Sequence, residues 1–252
     1  MKNNIILWAA SFVITFLTIF LANLLDKDYP ISGTFGIESK KVSYRFEKTH
    51  YGKDDFDVII RTDIDKVNGN LYWKNESDSI WNSLELKKSN LTLNGKIKSL
   101  KPLRVLNYYV ELNHKNKKYF LPDNKNVILT FFGNIPIAVN VLEYLLLYIG
   151  LVLAVRTGLE YFNDNINSKK FGVFILIFFL TLIALINPLY LTYKYGFINS
   201  SIPHISKLFF LSDITIFILW IVTLIAIFKS AKFKILPLAS SIFTLIIFVL
   251  LR

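Results

Sequence analysis

Cysteine is absent from this 252-residue chain, which excludes disulfides, thiolate metal sites and cysteine nucleophiles together. Histidine is scarce. His50, His114 and His204 all fall outside the long apolar runs, so a haem held between histidines of neighbouring spans is excluded as well. No H-E-x-x-H, G-x-S-x-G or phosphate-binding glycine loop occurs, and nothing arranges the serines and acids as a nucleophile system. The sequence therefore predicts no catalytic residue, no metal site and no cofactor. Charge is also thin, at 19% of residues against about 25% in soluble domains.

Apolar residues are abundant instead, at 53%, with 22 Phe, 13 Tyr and a mean hydropathy of +0.44. The average hides a division, because nearly all charge lies between Asp26 and Asn134 or in short basic loops. One chain thus faces two solvents, lipid and water. The net charge of +11 comes from lysines interleaved with acids in the polar segment and from basic residues flanking apolar runs. That pattern points to anionic lipid and to membrane orientation rather than to nucleic acid.

Residues 5–25 form an apolar run long enough to cross a hydrocarbon core of about 30 Å. It exceeds the usual signal-peptide core, and Leu21-Ala22-Asn23-Leu24-Leu25 offers no A-x-A cleavage pattern, so it is expected to be a retained anchor. Further spans are expected near 136–155, 171–193, 208–228 and 235–251. Pro136 suits a helix start, Pro237 falls in a first turn, and Pro188 is expected to kink or end the third helix.

Between the first and second spans the period changes to two. Val42, Tyr44 and Phe46 alternate with Lys41, Ser43, Arg45 and Glu47, and Leu106, Tyr108, Val110 and Leu112 repeat the pattern. Other strands are expected at 33–38, 56–62, 70–74, 80–86, 91–98, 118–121 and 127–132. Turns are expected at 51–55, Asn68-Gly69, Asn94-Gly95, Lys101-Pro102 and Pro122-Asp123-Asn124. Seven to nine short strands in about 100 residues predict a β-sandwich of immunoglobulin or fibronectin type, with Trp73 and Tyr109 as core aromatics. The fold class is a membrane protein, α plus β. It comprises an anchor (1–25), an extracytoplasmic sandwich (26–135) and four more membrane helices (136–252).

Basic residues set the orientation. With the N-terminus inside, the inner side holds seven, namely Lys2, Arg156, Lys169, Lys170, Lys229, Lys232 and Lys234. The outer short segments hold three, Lys194, Lys207 and Arg252. The balance predicts a cytoplasmic N-terminus and an extracytoplasmic β domain. Ionisable residues near or within spans are Glu143, Lys194 and Asp213, all at the outer boundary, and they form a candidate charge cluster. As a relay the cluster would carry protons or ions; as a structural feature it would snorkel or fix helix packing. Arg156 and Glu160 form an i, i+4 pair at the inner interface, expected to anchor the second helix.

Three passages resemble a family of bacterial integral membrane proteins. Tyr29-Pro30-Ile31-Ser32-Gly33-Thr34 with Val42-Ser43-Tyr44-Arg45-Phe46 is similar to that family's YPxxGT and xYRL. The stretch from Val127 to Pro136, leading to Arg156-Thr157-Gly158-Leu159-Glu160, is similar to its VxIRFxGDVP and RAGLE. Pro188 with Lys194-Tyr195-Gly196-Phe197 and Asp213 is similar to its GPxVQKYAFG and TDNK. Glu143 stands where the family carries a histidine, and Ile214 and Thr215 replace the end of TDNK. The resemblance implies the architecture above, in a bacterial inner membrane, and no activity. The functional expectation is a non-catalytic subunit or assembly factor whose partners are other membrane subunits and the bilayer. The alternatives are a small ion-coupled transporter using Glu143, Lys194 and Asp213, and a redox or lipid-handling enzyme.

Overall fold

The computed structural model describes residues 2–38, 40–64, 66–123, 125–163, 167–199, 203–229 and 235–251. Asn124 of one expected turn, and Lys232, Lys234 and Arg252 of the charge count, lie outside these residues. The chain divides into two compact units. One gathers 1–26, 135–193 and 197–252 and is helical; the other gathers 27–134 and 194–196 and is built of strands.

The β unit has two sheets. Strands β1 (Ile31–Ile37), β2 (Lys40–Phe46), β4 (Phe56–Thr62), β8 (Thr92–Ile97) and β7 (Lys87–Ser89) form the first in the order β1-β2-β4-β8-β7. Strands β3 (Thr49–Tyr51), β11 (Val127–Phe132), β9 (Val105–His114), β5 (Asn68–Asn75) and β6 (Asn82–Glu85) form the second in the order β3-β11-β9-β5-β6. Strand β10 (Lys117–Leu121) also pairs with β9. All pairings are antiparallel except that of β3 with β11. Alternation along β4, where every second residue is buried, supplies Phe56, Val58 and Ile60 to the core. These join Val42, Phe46, Leu93 and Ile97 from the same sheet and Leu71, Leu106, Val110, Leu112, Leu129 and Phe131 from the other. The result is one apolar cluster between two sheets, a sandwich-like arrangement.

Several sequence expectations change here. Eleven strands appear among the described residues rather than seven to nine, because β3 and β7 have three residues each and show no period. Of the strand expected at 80–86 only Asn82–Glu85 forms, as β6 of the second sheet, and after Leu86 the chain continues as β7 of the first. Leu86 is buried at this crossover, and its N–H donates to the Gly69 carbonyl at 2.7 Å. Asn68-Gly69 and Asn94-Gly95 are not turns but lie inside β5 and β8. A Cβ on Gly69 would come within 2.8 Å of both Leu86 Cδ1 and Leu112 Cδ2, and one on Gly95 within 2.5 Å of Leu86 Cδ2. The glycines make room for a leucine.

Tyr109 is likewise not a core aromatic. Alternation along β9 buries Tyr108 and turns Tyr109 to the outer face, whereas Trp73 does pack against the core. The Tyr108 hydroxyl donates to the Glu47 carbonyl at 2.9 Å, and burial pushes its pKa well up. Near the unit's surface, a hydrogen bond from Lys115 and then one from His114 hold the Glu38 carboxyl below its usual range.

The helical unit contains α1 (Lys2–Leu25), α2 (Ile137–Leu159), α3 (Ser168–Thr181), α4 (Asn187–Lys194), α5 (Leu211–Lys229) and α6 (Leu236–Leu251). Four apolar helical stretches, Asn4–Leu25, Ile137–Phe162, Ser168–Lys194 and Leu211–Lys229, are long enough to cross a membrane. The shorter α6 is apolar over 16 residues. Helix α2 packs against α1, α3 and α6, while α5 packs against α3 and α6. Leu147, Leu151, Phe179, Leu182, Ile216, Trp220 and Phe248 fill the centre. Small residues allow close approach: a Cβ on Gly158 would fall 2.6 Å from Ser241 Cβ, where α2 meets α6.

Pro188 does not end the third helix. A π-helical segment, Leu182–Ile186, links α3 to α4, and the helix runs on to Lys194. A proline brings no N–H and crowds the turn before it, and a wider turn at that place accommodates both. Eight helical hydroxyl groups bond within their own helices, whereas Thr15 Oγ1 is buried without a hydrogen bond among the described residues. Ser11, Thr18, Thr157, Thr181, Thr192, Thr215, Thr223 and Thr244 each donate to the carbonyl four residues earlier.

Candidate functional site

Three groupings of polar or aromatic side chains stand out from the packing. The first is centred on Arg156, in the last turn of α2 and fully buried. Its guanidinium pairs with Glu160 and donates to Asn4 Oδ1 of α1 at 2.5 Å. It also lies between two rings, 5.4 Å from the Trp8 centroid and 5.3 Å from that of Phe171. Glu160, equally buried, accepts from the Asn167 backbone N–H at 2.7 Å and from Asn163 Nδ2 at 3.2 Å. One ion pair therefore ties α1, α2 and the start of α3 together. A carboxylate placed before α3 also suits the positive end of that helix.

The second grouping lies in the first turn of α5. Asp213 is fully buried, and its Oδ2 accepts from Asn187 Nδ2 at 2.8 Å while its Oδ1 accepts from Ser212 Oγ at 3.1 Å. Asn187 follows the π-helical segment directly and is itself fully buried. Glu143 is buried in α2, one turn before Leu147 of the central cluster.

Lys194 closes α4, yet with Tyr195 and Gly196 it groups with the β unit, whereas Glu143 and Asp213 belong to the helical unit. Its carbonyl accepts from the Gly133 N–H at 2.7 Å, and its ammonium lies 4.7 Å from the Phe132 ring centroid. Gly196 has φ +70°, and a Cβ there would come within 2.7 Å of Pro102 Cγ. Two passages distant in sequence, Phe132-Gly133 and Lys194-Tyr195-Gly196, thus meet in the β unit.

The third grouping is an aromatic patch on the outer face of the second sheet. Tyr72 and Tyr109 stand opposite each other on β5 and β9, with rings stacked at 4.9 Å and 11°. Trp81 meets Tyr109 edge-on at 4.9 Å, Phe120 lies 6.3 Å away, and Lys74 sits 5.1 Å over Trp81. Beside them Lys118 pairs with Glu111 at 3.0 Å. Burial raises the Tyr109 pKa, with the neighbouring Tyr72 adding to the effect.

No known family matches the chain, and no curated protein does. Among solved structures the chain is similar to the one described as "Crystal structure of Br derivative BhCBM56". Identity is 10%, over 42% of this chain and 95% of that chain, with a TM-score of 0.26. A likeness of that size carries no argument.

Sequence reasoning singled out Arg156, Glu160, Glu143, Lys194 and Asp213 by their charge. It missed Asn187 and Ser212, which contact Asp213, and Asn4, Trp8 and Phe171, which surround Arg156. Asn187 left one signal, an amide inside an apolar run and next to a proline. The aromatic patch left none that separates it from core, because strand parity is needed to see which rings face out.

Proposed function

We propose that the chain is a non-catalytic integral membrane subunit or assembly factor, whose β unit makes the contacts with its partner. The observation that supports this most is the outward aromatic patch of Tyr72, Trp81, Tyr109 and Phe120, the last of these 42% exposed. Half-buried Trp and Tyr on an outer face, grouped with a few charges, are the composition of interface centres. In this reading five helices cross a bacterial inner membrane, with α6 as the shortest. The N-terminus is cytoplasmic, and the β unit is an extracytoplasmic sandwich of immunoglobulin or fibronectin type. The seven-to-three distribution of basic residues and the largely antiparallel two-sheet arrangement support that placement. The resemblance of the three motif passages to bacterial membrane proteins agrees with it.

Purification of the full chain from its native membrane in mild detergent tests the reading. A stoichiometric membrane partner is expected, and Tyr109→Ser with Trp81→Ser is expected to release it while the chain stays folded. A single chain recovered free of partners under gentle conditions contradicts the reading. A second reading, a small ion-coupled transporter using Glu143, Lys194 and Asp213, is favoured by the burial of Asp213 among polar groups. In that case Asp213→Asn abolishes flux in proteoliposomes, and unchanged flux removes it.

A further inference from the structure

In the loop before β9 the chain makes a tight turn, with the Arg104 N–H donating to the Lys101 carbonyl at 3.2 Å. Pro102 takes its second position and Leu103 its third, at φ +65°, a place that ordinarily falls to glycine. Such a turn holds the Cα atoms of its first and last residues, Lys101 and Arg104, within about 7 Å. Both side chains line a cavity of about 510 Å³ together with Glu76, Ser77 and the apolar Leu100 and Val105. Small-molecule sites range over about 300–1,000 Å³. Neither cation has an ion pair or a side-chain hydrogen bond among the described residues, and neither does the Glu76 carboxylate. Asp78 beside them is occupied, accepting from Asn75 Nδ2 at 2.6 Å and from Ser77 Oγ at 3.2 Å.

The same loop is tied to both passages that lead from the β unit into membrane-length helices. The Leu103 N–H donates to the Phe131 carbonyl at 2.8 Å and the Phe131 N–H to the Arg104 carbonyl at 2.9 Å, at the end of β11 and shortly before α2. Pro102 packs on Gly196, two residues beyond Lys194, where a helical stretch long enough to cross a membrane ends. Two residues of chain reach at most about 7 Å, which keeps the loop at the level of lipid headgroups. Leu103, 44% exposed next to Arg104, adds an apolar tip. We propose that this cavity binds the headgroup of one anionic phospholipid that carries hydroxyl groups, a phosphatidylglycerol. The Arg104 fork and the Lys101 ammonium hold the phosphodiester, and Glu76 accepts from the headgroup hydroxyls. Two cations and one carboxylate line the cavity, and the single negative charge of the lipid balances their excess. A choline headgroup brings neither net charge nor a hydroxyl donor. The site rests on the membrane placement of the helices and shares no residue with the aromatic patch.

The test is hydrogen exchange of the full chain in nanodiscs of phosphatidylcholine, with and without phosphatidylglycerol. The Glu76, Leu103 and Arg104 amides are hydrogen-bonded around the cavity, so their exchange reports its opening. Phosphatidylglycerol is expected to slow them about tenfold at ten times its Kd. Arg104→Gln is expected to remove most of that difference. Lys117→Gln, the same loss of charge at the far end of β9, is expected to keep it, and both positions are exposed, so neither variant disturbs the core. Equal exchange in the two discs, or a difference that survives Arg104→Gln, would overturn the proposal. So would equal protection by phosphatidylethanolamine, or full protection by inorganic phosphate in choline discs, which would assign the cavity to a free anion. Absence of a co-purifying partner would leave the lipid response intact, so the two readings fail separately.

Discussion

The β unit and the helical unit distribute polarity in opposite ways. Among the described residues, the buried polar side chains of the β unit are Thr62, Glu111 and His114. The helical unit buries fourteen, including Arg156, Glu160, Glu143, Asn187 and Asp213, with nine further hydroxyl residues. Its surface carries the reverse: Phe16, Val141, Ile177, Ile218, Val222 and Phe243 are each about half exposed or more. In water that surface would be a large liability, and in lipid it is ordinary. The difference teaches what holds each unit together. Strands are driven together by removal of apolar surface from water. Helices whose outsides face hydrocarbon gain little that way, and association depends on close packing and on hydrogen bonds across helices.

Substitutions can break or sharpen this contrast. The largest effect is expected in the helical unit at Arg156. Arg156→Ala leaves Glu160 charged and unpaired in a buried site, a loss of about 3–5 kcal/mol. Size-exclusion profiles and thermal unfolding in detergent should show it, with Glu160→Gln in the same chain recovering part of the loss. Next comes the β unit at Leu86. Leu86→Ala opens a cavity bounded by Gly69, Gly95 and Leu71 and is expected to cost about 2–5 kcal/mol. Exchange protection of β5 and β8 amides would report it.

A smaller effect is expected at one of the two side-chain hydrogen bonds that join α5 to α6 among the described residues, the other being that between the Thr223 and Ser240 hydroxyls at 2.6 Å. Trp220 Nε1 donates to Thr244 Oγ1 at 2.9 Å, and Thr244→Val should cost about 0.6–1.7 kcal/mol in denaturation from micelles. The smallest belongs to an exposed ion pair of the β unit. Arg45 and Glu47 lie 2.8 Å apart with both side chains in water, so Arg45→Ala should change stability by about 0–1 kcal/mol, less at high salt. A large loss there, or none at Arg156, would reverse the comparison.

The division into two solvents was readable because composition alone separates 26–134 from the rest. Helix positions followed from run length, and longer strands such as β4 from period two. The three-residue strands were not readable, since they exist only by pairing with neighbours. Gly69 and Gly95 were misread because asparagine–glycine pairs have good turn chemistry locally, and only Leu86 packing between the sheets explains them. At the candidate sites, charged residues announced themselves while the neutral groups touching them did not. Asn187 and Trp8 gain their roles from helix packing that no single-sequence period encodes.

The absence of cysteine makes the central claim directly measurable, because any introduced thiol is the only one present. Ile80 of the β unit is 81% exposed, and Ile218 of α5 is 54% exposed. Ile80→Cys and Ile218→Cys should be treated with a water-soluble, membrane-impermeant maleimide in intact cells stripped of any outer barrier. The account predicts rapid labelling of Ile80→Cys from outside, and none of Ile218→Cys until the protein is denatured. Equal labelling of both would contradict a lipid-facing helical unit, and labelling of Ile80→Cys only after the cells are opened would contradict an extracytoplasmic β unit.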